Sequence, residues 1–142
     1  TSQECYTTGA VEIFDPESNS WSEGTPMPTP RHGITLCVLP PRDDHGMGLS
    51  SSSSPSFLVV GGAQDSLVYA GPTPLDTAEQ FFPNEGVWET ETVESMPSAR
   101  YAAAKGYGLT LEINGSTRAY VISGAVDASD VLTPDVEVFD LL

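Results

Sequence analysis

Basic side chains are scarce in this sequence. Five Lys and Arg stand against 20 Asp and Glu among 142 residues, a formal net charge of -15. Partners that are bound through phosphates, whether nucleic acid or an anionic membrane surface, call for clustered Lys and Arg, so neither is expected here. Histidine and cysteine are scarce too. His32 and His45 lie on separate segments with no H-E-x-x-H spacing, and Cys5 and Cys37 make no C-x-x-C pair, so no metal or other cofactor is expected. No Gly-rich phosphate loop opens a helix pattern, no G-x-S-x-G occurs, and no catalytic residue is assigned within the chain. Runs of apolar residues are short. None approaches the ~18 of a membrane span, and the start lacks the basic-then-apolar layout of a signal peptide. With Thr1 in the first place rather than Met, the natural start is expected upstream, along with any such signal. The compartment stays open, with the cytoplasm favoured over secretion.

What the chain does have is glycine and proline, 13 and 12 residues, about 18% together against an average near 12%. That composition implies many turns and short elements rather than long helices, while 39% hydrophobic residues suffice for a folded core. The segment Gly33-Ile34-Thr35-Leu36-Cys37-Val38-Leu39 reads as buried, with Cys37 packing as a small hydrophobe. A Cys5–Cys37 disulfide is the alternative.

Comparing the sequence with itself gives three copies of one pattern. Val11-Glu12-Ile13-Phe14-Asp15 aligns with Ala78-Glu79-Gln80-Phe81-Phe82 and with Val136-Glu137-Val138-Phe139-Asp140. Trp21 and Trp88 follow their copies at the same offset of ten (11 to 21, 78 to 88). Met27-Pro28-Thr29-Pro30-Arg31 matches Met96-Pro97-Ser98-Ala99-Arg100, and Val59-Val60-Gly61-Gly62-Ala63-Gln64-Asp65 matches Val121-Ile122-Ser123-Gly124-Ala125-Val126-Asp127. Repeats of this kind are read before any local feature, because they decide the whole fold.

This order of landmarks resembles the kelch repeat, the roughly 50-residue unit of one β-propeller blade. The resemblance runs from about residue 11 to 140, with Ser123 in place of the first Gly of a pair, Phe82 in place of an Asp, and no Trp in the third copy. It implies an all-β fold, a fragment of a kelch-type β-propeller with four-stranded antiparallel blades whose remaining blades are missing from this chain. Residues 1–30 would be the third and fourth strands of a first blade, 31–95 a complete blade with a flexible insertion over 40–56, and 96–142 an incomplete blade.

Within such a unit the middle strands are expected to be apolar on both faces, as Phe57-Leu58-Val59-Val60 and Ala119-Tyr120-Val121-Ile122 are. Gly61, Gly62 and Gly124 suit positions of positive φ or close backbone approach. The innermost strand is crowded, which suits Ala102, Ala103, Ala104 and Gly106. Read alone, 98–105 has a helical pattern, and its register with 31–39 overrides that. Trp21 and Trp88 are expected to fill space between blades. Arg31 and Arg100 recur, as do Glu12, Glu79 and Glu137, and pairing between the two sets would avoid buried unpaired charge. The alternative is that the arginines bind an anionic ligand. Asn114-Gly115-Ser116 is a hairpin turn signal that also matches the N-x-S glycosylation acceptor. Asp127 with Asp130, and Asp43 with Asp44, offer oxygen ligands but follow no Ca²⁺ loop pattern and read as acidic turns.

A binding surface remains. The loops after the second strands and the Met-Pro links emerge on one side of the expected blades, carrying Asp65, Tyr69, Asp127, Asp130, His32 and Tyr101 beside Arg31 and Arg100. Loops on a rigid scaffold are where recognition sits, and kelch relatives commonly bind proteins there. The resemblance therefore implies a protein-interaction module with a protein partner and no catalysis in this fragment. The alternative is a piece of a propeller-type carbohydrate oxidase or other sugar-acting enzyme whose catalytic residues lie outside the chain.

Overall fold

A computed structural model of the chain describes residues 7–41, 54–65, 71–91, 93–102, 108–127 and 129–141. The described residues contain no helix. They form β1 (Glu12–Asp15), β2 (Ser20–Glu23), β3 (Thr35–Leu39), β4 (Ser56–Val60), β5 (Ala63–Asp65), β6 (Pro72–Pro74), β7 (Ala78–Phe82), β8 (Val87–Glu89), β9 (Leu109–Ile113), β10 (Ser116–Ile122) and β11 (Val136–Leu141). These assemble into a β1-β2 hairpin, a four-stranded sheet of order β3-β4-β7-β8, a three-stranded sheet of order β11-β10-β9 and a small β5-β6 ribbon. Every pairing is antiparallel.

Local chemistry accounts for the elements. β3 alternates buried Thr35, Cys37 and Leu39 with exposed Leu36 and Val38, the period of a strand covered on one face. β4 is buried or half-buried along its whole length, as expected for a middle strand with neighbours on both sides. Between β9 and β10, Asn114 and Gly115 take φ of 53° and 79°, the left-handed pair that a two-residue hairpin turn requires. The link over 63–77 was expected as open loop. Instead Ala63 pairs with Pro74 and Asp65 with Pro72, a ribbon that accepts two prolines because each of its strands is an edge with no neighbour demanding an N–H. The expected insertion over 40–56 lies mostly outside the described residues, as do Cys5, Asp43, Asp44, His45, Ala103, Ala104 and Gly106.

The main core lies between the four-stranded and three-stranded sheets. Cys37, Leu39, Leu58, Val60 and Ala78 meet Ala119 and Val121, with Met96 and Phe139 packed alongside. A fully buried Leu such as Leu58 contributes about 2 kcal/mol of transfer free energy. Cys37 carries a free thiol, and burial pushes it up from the usual thiol value. At the inner side, β3 lies against both β9 and β10, and the Gly108 N–H donates to the Leu36 carbonyl across 2.9 Å. Gly108 has to be glycine: a Cβ there would meet Cys37 Sγ at 2.0 Å. Between the sheets a cavity of about 180 Å³ is bounded by Leu58, Val60, Ala119, Val121 and Phe139.

Candidate functional site

The recurring charges are brought together in the interior. Arg31 Nη2 lies 2.9 Å from Glu79 Oε1, with the two side chains 0% and 3% exposed. Arg31 also donates to the Gly61 and Thr77 carbonyls at 3.0 and 2.9 Å, and Glu79 Oε2 accepts from the Thr29 N–H at 3.4 Å. In the three-stranded sheet Arg100 Nη2 bonds Glu137 Oε1, and Nη1 donates to the Ser123 and Asp135 carbonyls at 3.3 and 3.2 Å. Ser98 Oγ completes this copy, accepting from Arg100 at 2.6 Å and donating to Glu137 at 2.7 Å. Each arginine therefore ties the end of one middle strand to the start of the next. Desolvation lowers the Arg31 pKa and the Glu79 carboxylate opposes that shift. Both arginines are buried and committed, which removes them from any surface that a partner or anionic ligand touches.

The backbone repeats as closely as the side chains. Gly33 and Ala102 take φ of 60° and 53°, Gly61 and Ser123 take 62° and 61°, and Gly62 and Gly124 take 92° and 124°. The substitutions of Ala and Ser for Gly thus leave the left-handed conformation in place. Gly62 cannot change in the same way, since a Cβ would stand 2.8 Å from the His32 carbonyl oxygen. The two copies are joined directly: Gly62 N–H donates to Arg100 O at 2.9 Å, Arg100 N–H to Leu75 O at 3.0 Å, and Ala102 N–H to Gly33 O at 2.7 Å.

This junction carries the residues that follow each arginine. His32 bridges to Ala63, and Tyr101 bridges to Ala125. His32 Nε2 reaches Asp65 Oδ1 at 3.4 Å with both side chains partly in solvent. The Tyr101 hydroxyl donates to Asp130 Oδ1 and lies 3.4 Å from the Asp127 carbonyl oxygen. The hydrogen bond to Asp130, together with burial and the charges of Asp130 and Asp127, pushes the Tyr101 hydroxyl up to about 12. Asp127 Oδ1 caps its own turn by accepting from the N–H groups of Ser129 and Val131 at 2.8 and 3.2 Å. The His32 and Tyr101 rings meet edge to face, 6.4 Å between centroids. Five of the residues singled out in the sequence therefore form one exposed face: His32, Asp65, Tyr101, Asp127 and Asp130. Tyr69 lies outside the described residues. Thr7 was not foreseen. Its Oγ1 donates to Asp65 Oδ2 at 2.6 Å and accepts from the Asp65 N–H at 2.9 Å, and no spacing in the sequence links positions 7 and 65.

The tryptophans divide. Trp88 is partly buried, stacks at 4.8 Å on Phe81, and donates from Nε1 to the Thr25 carbonyl at 2.9 Å. Trp21 was expected in the interior and is 68% exposed, resting on Phe14 at 5.1 Å. The reason lies in the neighbours: Trp88 leans on the hairpin that precedes its sheet, and no described residue takes that place beside Trp21. Glu12, the third recurring glutamate, is exposed and makes no ion pair among the described residues.

These features define an all-β chain built on a repeated antiparallel unit, with a buried Arg–Glu clasp in each of two units and an acidic, aromatic face where the units join. No protein-family model matches the chain, and no curated protein matches it either. Among the described residues, no group of three or more His, Cys, Asp and Glu is placed to hold a metal ion, and no helix is long and apolar enough to cross a membrane.

Proposed function

We propose that the chain is part of a kelch-type β-propeller that works as a protein-recognition module, and that the face around His32, Asp65, Tyr101, Asp127 and Asp130 contacts a basic segment of a protein partner. The observation that carries this reading is the duplicated pairing of an aromatic or imidazole ring with loop carboxylates, His32 with Asp65 and Tyr101 with Asp130, joined by ring contact into one surface. The kelch-type architecture draws support from sheets of two, four and three strands in chain order, from the matched φ angles, and from the two Arg–Glu clasps. Strands converging where β3 meets β9 fit blades arranged around an axis.

The chemistry selects the partner. Three carboxylates on an exposed face of a chain of net charge -15 attract cationic ligands and speed their encounter. The Tyr101 and His32 rings add apolar area beside those charges, suited to the stem of a Lys or Arg.

Calorimetric titration with an unstructured Arg- and Lys-containing peptide tests the assignment. Replacing Asp65 and Asp127 together by Asn should weaken binding by about tenfold, equivalent to about 1.4 kcal/mol, with the circular dichroism unchanged. Glu91→Gln, on an exposed loop away from this face, should leave the affinity alone. Equal losses from the two changes, or no binding by the unaltered chain, would overturn the assignment.

A further inference from the structure

Strand register sorts each sheet into two faces. In the four-stranded sheet, Thr35, Cys37, Leu58, Val60 and Ala78 share one face, and Leu36, Val38, Val59 and Glu79 the other. The first face is covered by the three-stranded sheet, with β9 and β10 lying against β3. The second is covered unevenly. Val59 and Glu79 are buried, whereas Leu36 and Val38, on the inner strand, are exposed, Val38 to 53%.

The exposed side of β3 adjoins an unfilled place in the hairpin sheet. β7 pairs on one side with β4 and on the other with β8, and β11 pairs with β10. β1, aligned with both in sequence, pairs only with β2 among the described residues. Its inner edge therefore presents open N–H and C=O groups, a template for another strand. On the same strand stands Glu12, the equivalent of Glu79 and Glu137, each of which is clasped by an arginine that immediately precedes the inner strands of its own sheet.

The geometry points to a docking slot for a pair of antiparallel strands supplied by a partner polypeptide. One strand would add to the inner edge of β1, the pair would cover Leu36 and Val38, and an arginine just ahead of it would clasp Glu12. The recognition mode is strand addition, with main-chain hydrogen bonds giving affinity and the arginine and alternating apolar side chains giving specificity. The slot rests on the repeating-unit reading proposed above and not on the acidic loop face, so a face that ignored basic peptides would leave it intact.

The chain contains a suitable probe, because residues 96–122 hold Arg100 followed by β9 and β10, the pair that performs this role in the three-stranded sheet. A labelled synthetic peptide of that sequence, titrated into the 142-residue chain and followed by fluorescence anisotropy, should bind saturably at one site. Arg100→Met in the peptide, Glu12→Gln in the chain, and Val38→Asp in the chain should each weaken binding at least about tenfold. Glu17→Gln, at the exposed outer turn of the hairpin, should not. Amide exchange at β1 should slow when peptide is bound. No saturable binding, or binding indifferent to both Glu12→Gln and Val38→Asp, would overturn the slot.

Discussion

Arg31 and Glu79 face one another across 2.9 Å with almost no solvent at either side chain. In such a place the attraction mainly offsets what both groups lost on leaving water, so the pair matters most when half of it is removed. Glu79→Ala should destabilise the chain by about 3–5 kcal/mol, because it strands a buried guanidinium. The double change Arg31→Met with Glu79→Leu should recover much of that loss. Urea denaturation of the single and double variants measures both, and a Glu79→Ala cost below about 1 kcal/mol would mean the pair is wet.

That clasp was legible in the sequence because two of five basic residues recur at one repeated position, opposite a recurring glutamate. The sheet groups were legible for the same reason, through landmarks in fixed order. Trp21 was not. A sequence shows that an aromatic recurs, but its burial depends on which element stands beside it, and Trp88 has Thr25 where Trp21 has no described counterpart. The β5-β6 ribbon was hidden because its pairing needs no apolar alternation and runs through two prolines. The face at His32 and Tyr101 was legible as residues and not as a cluster: ring contact between positions 32 and 101 depends on two units meeting at Gly33 and Ala102.

The matched φ angles predict opposite outcomes at equivalent positions. Gly61 has φ of 62°, and a Cβ there would stand 2.5 Å from the Arg100 carbonyl oxygen. Gly61→Ala should therefore cost more than the ~1 kcal/mol that a left-handed backbone alone exacts. Ser123 already bears the same conformation at φ 61°, so Ser123→Gly should be neutral or stabilising by up to about 1 kcal/mol. Gly115→Ala is the control, with φ of 79° and nothing within 4 Å of the added carbon. Midpoints of thermal unfolding should rank Ser123→Gly highest and Gly61→Ala lowest, and a reversed order would contradict the alignment.

Tyr101 predicts a loss of stability at high pH. Its hydroxyl is held by Asp130, which raises its pKa from 10.0 to about 12 in the folded chain. The folded state then keeps a proton that the unfolded state gives up, so the contribution is complete below about pH 10 and falls as pH rises towards 12, where it is lost. Asp130→Asn should bring the tyrosinate titration back towards 10, read by ultraviolet absorbance. Tyr101→Phe should flatten the stability profile between pH 10 and 12. An unchanged profile in both variants would show that the hydroxyl does not hold Asp130.

The two tryptophans give the most direct optical test of which sheet faces are covered. With Trp88→Phe, emission comes from Trp21, whose indole is 68% exposed; it should be red-shifted and efficiently quenched by iodide. With Trp21→Phe, emission comes from Trp88, partly buried and bonded through Nε1 to the Thr25 carbonyl; it should be bluer and less accessible to quencher. The stabilities should separate in the same direction. Trp88→Phe loses a hydrogen bond that leaves the Thr25 carbonyl unpaired and should cost about 1–2 kcal/mol, while Trp21→Phe at the surface should stay within about 0.5 kcal/mol. Quenching slopes that agree between the two variants would mean that Trp21 is covered in solution. The free edge of β1 on the same hairpin would then have to be examined as already occupied, since covering that indole requires chain or partner on the face that Phe14 and Trp21 share.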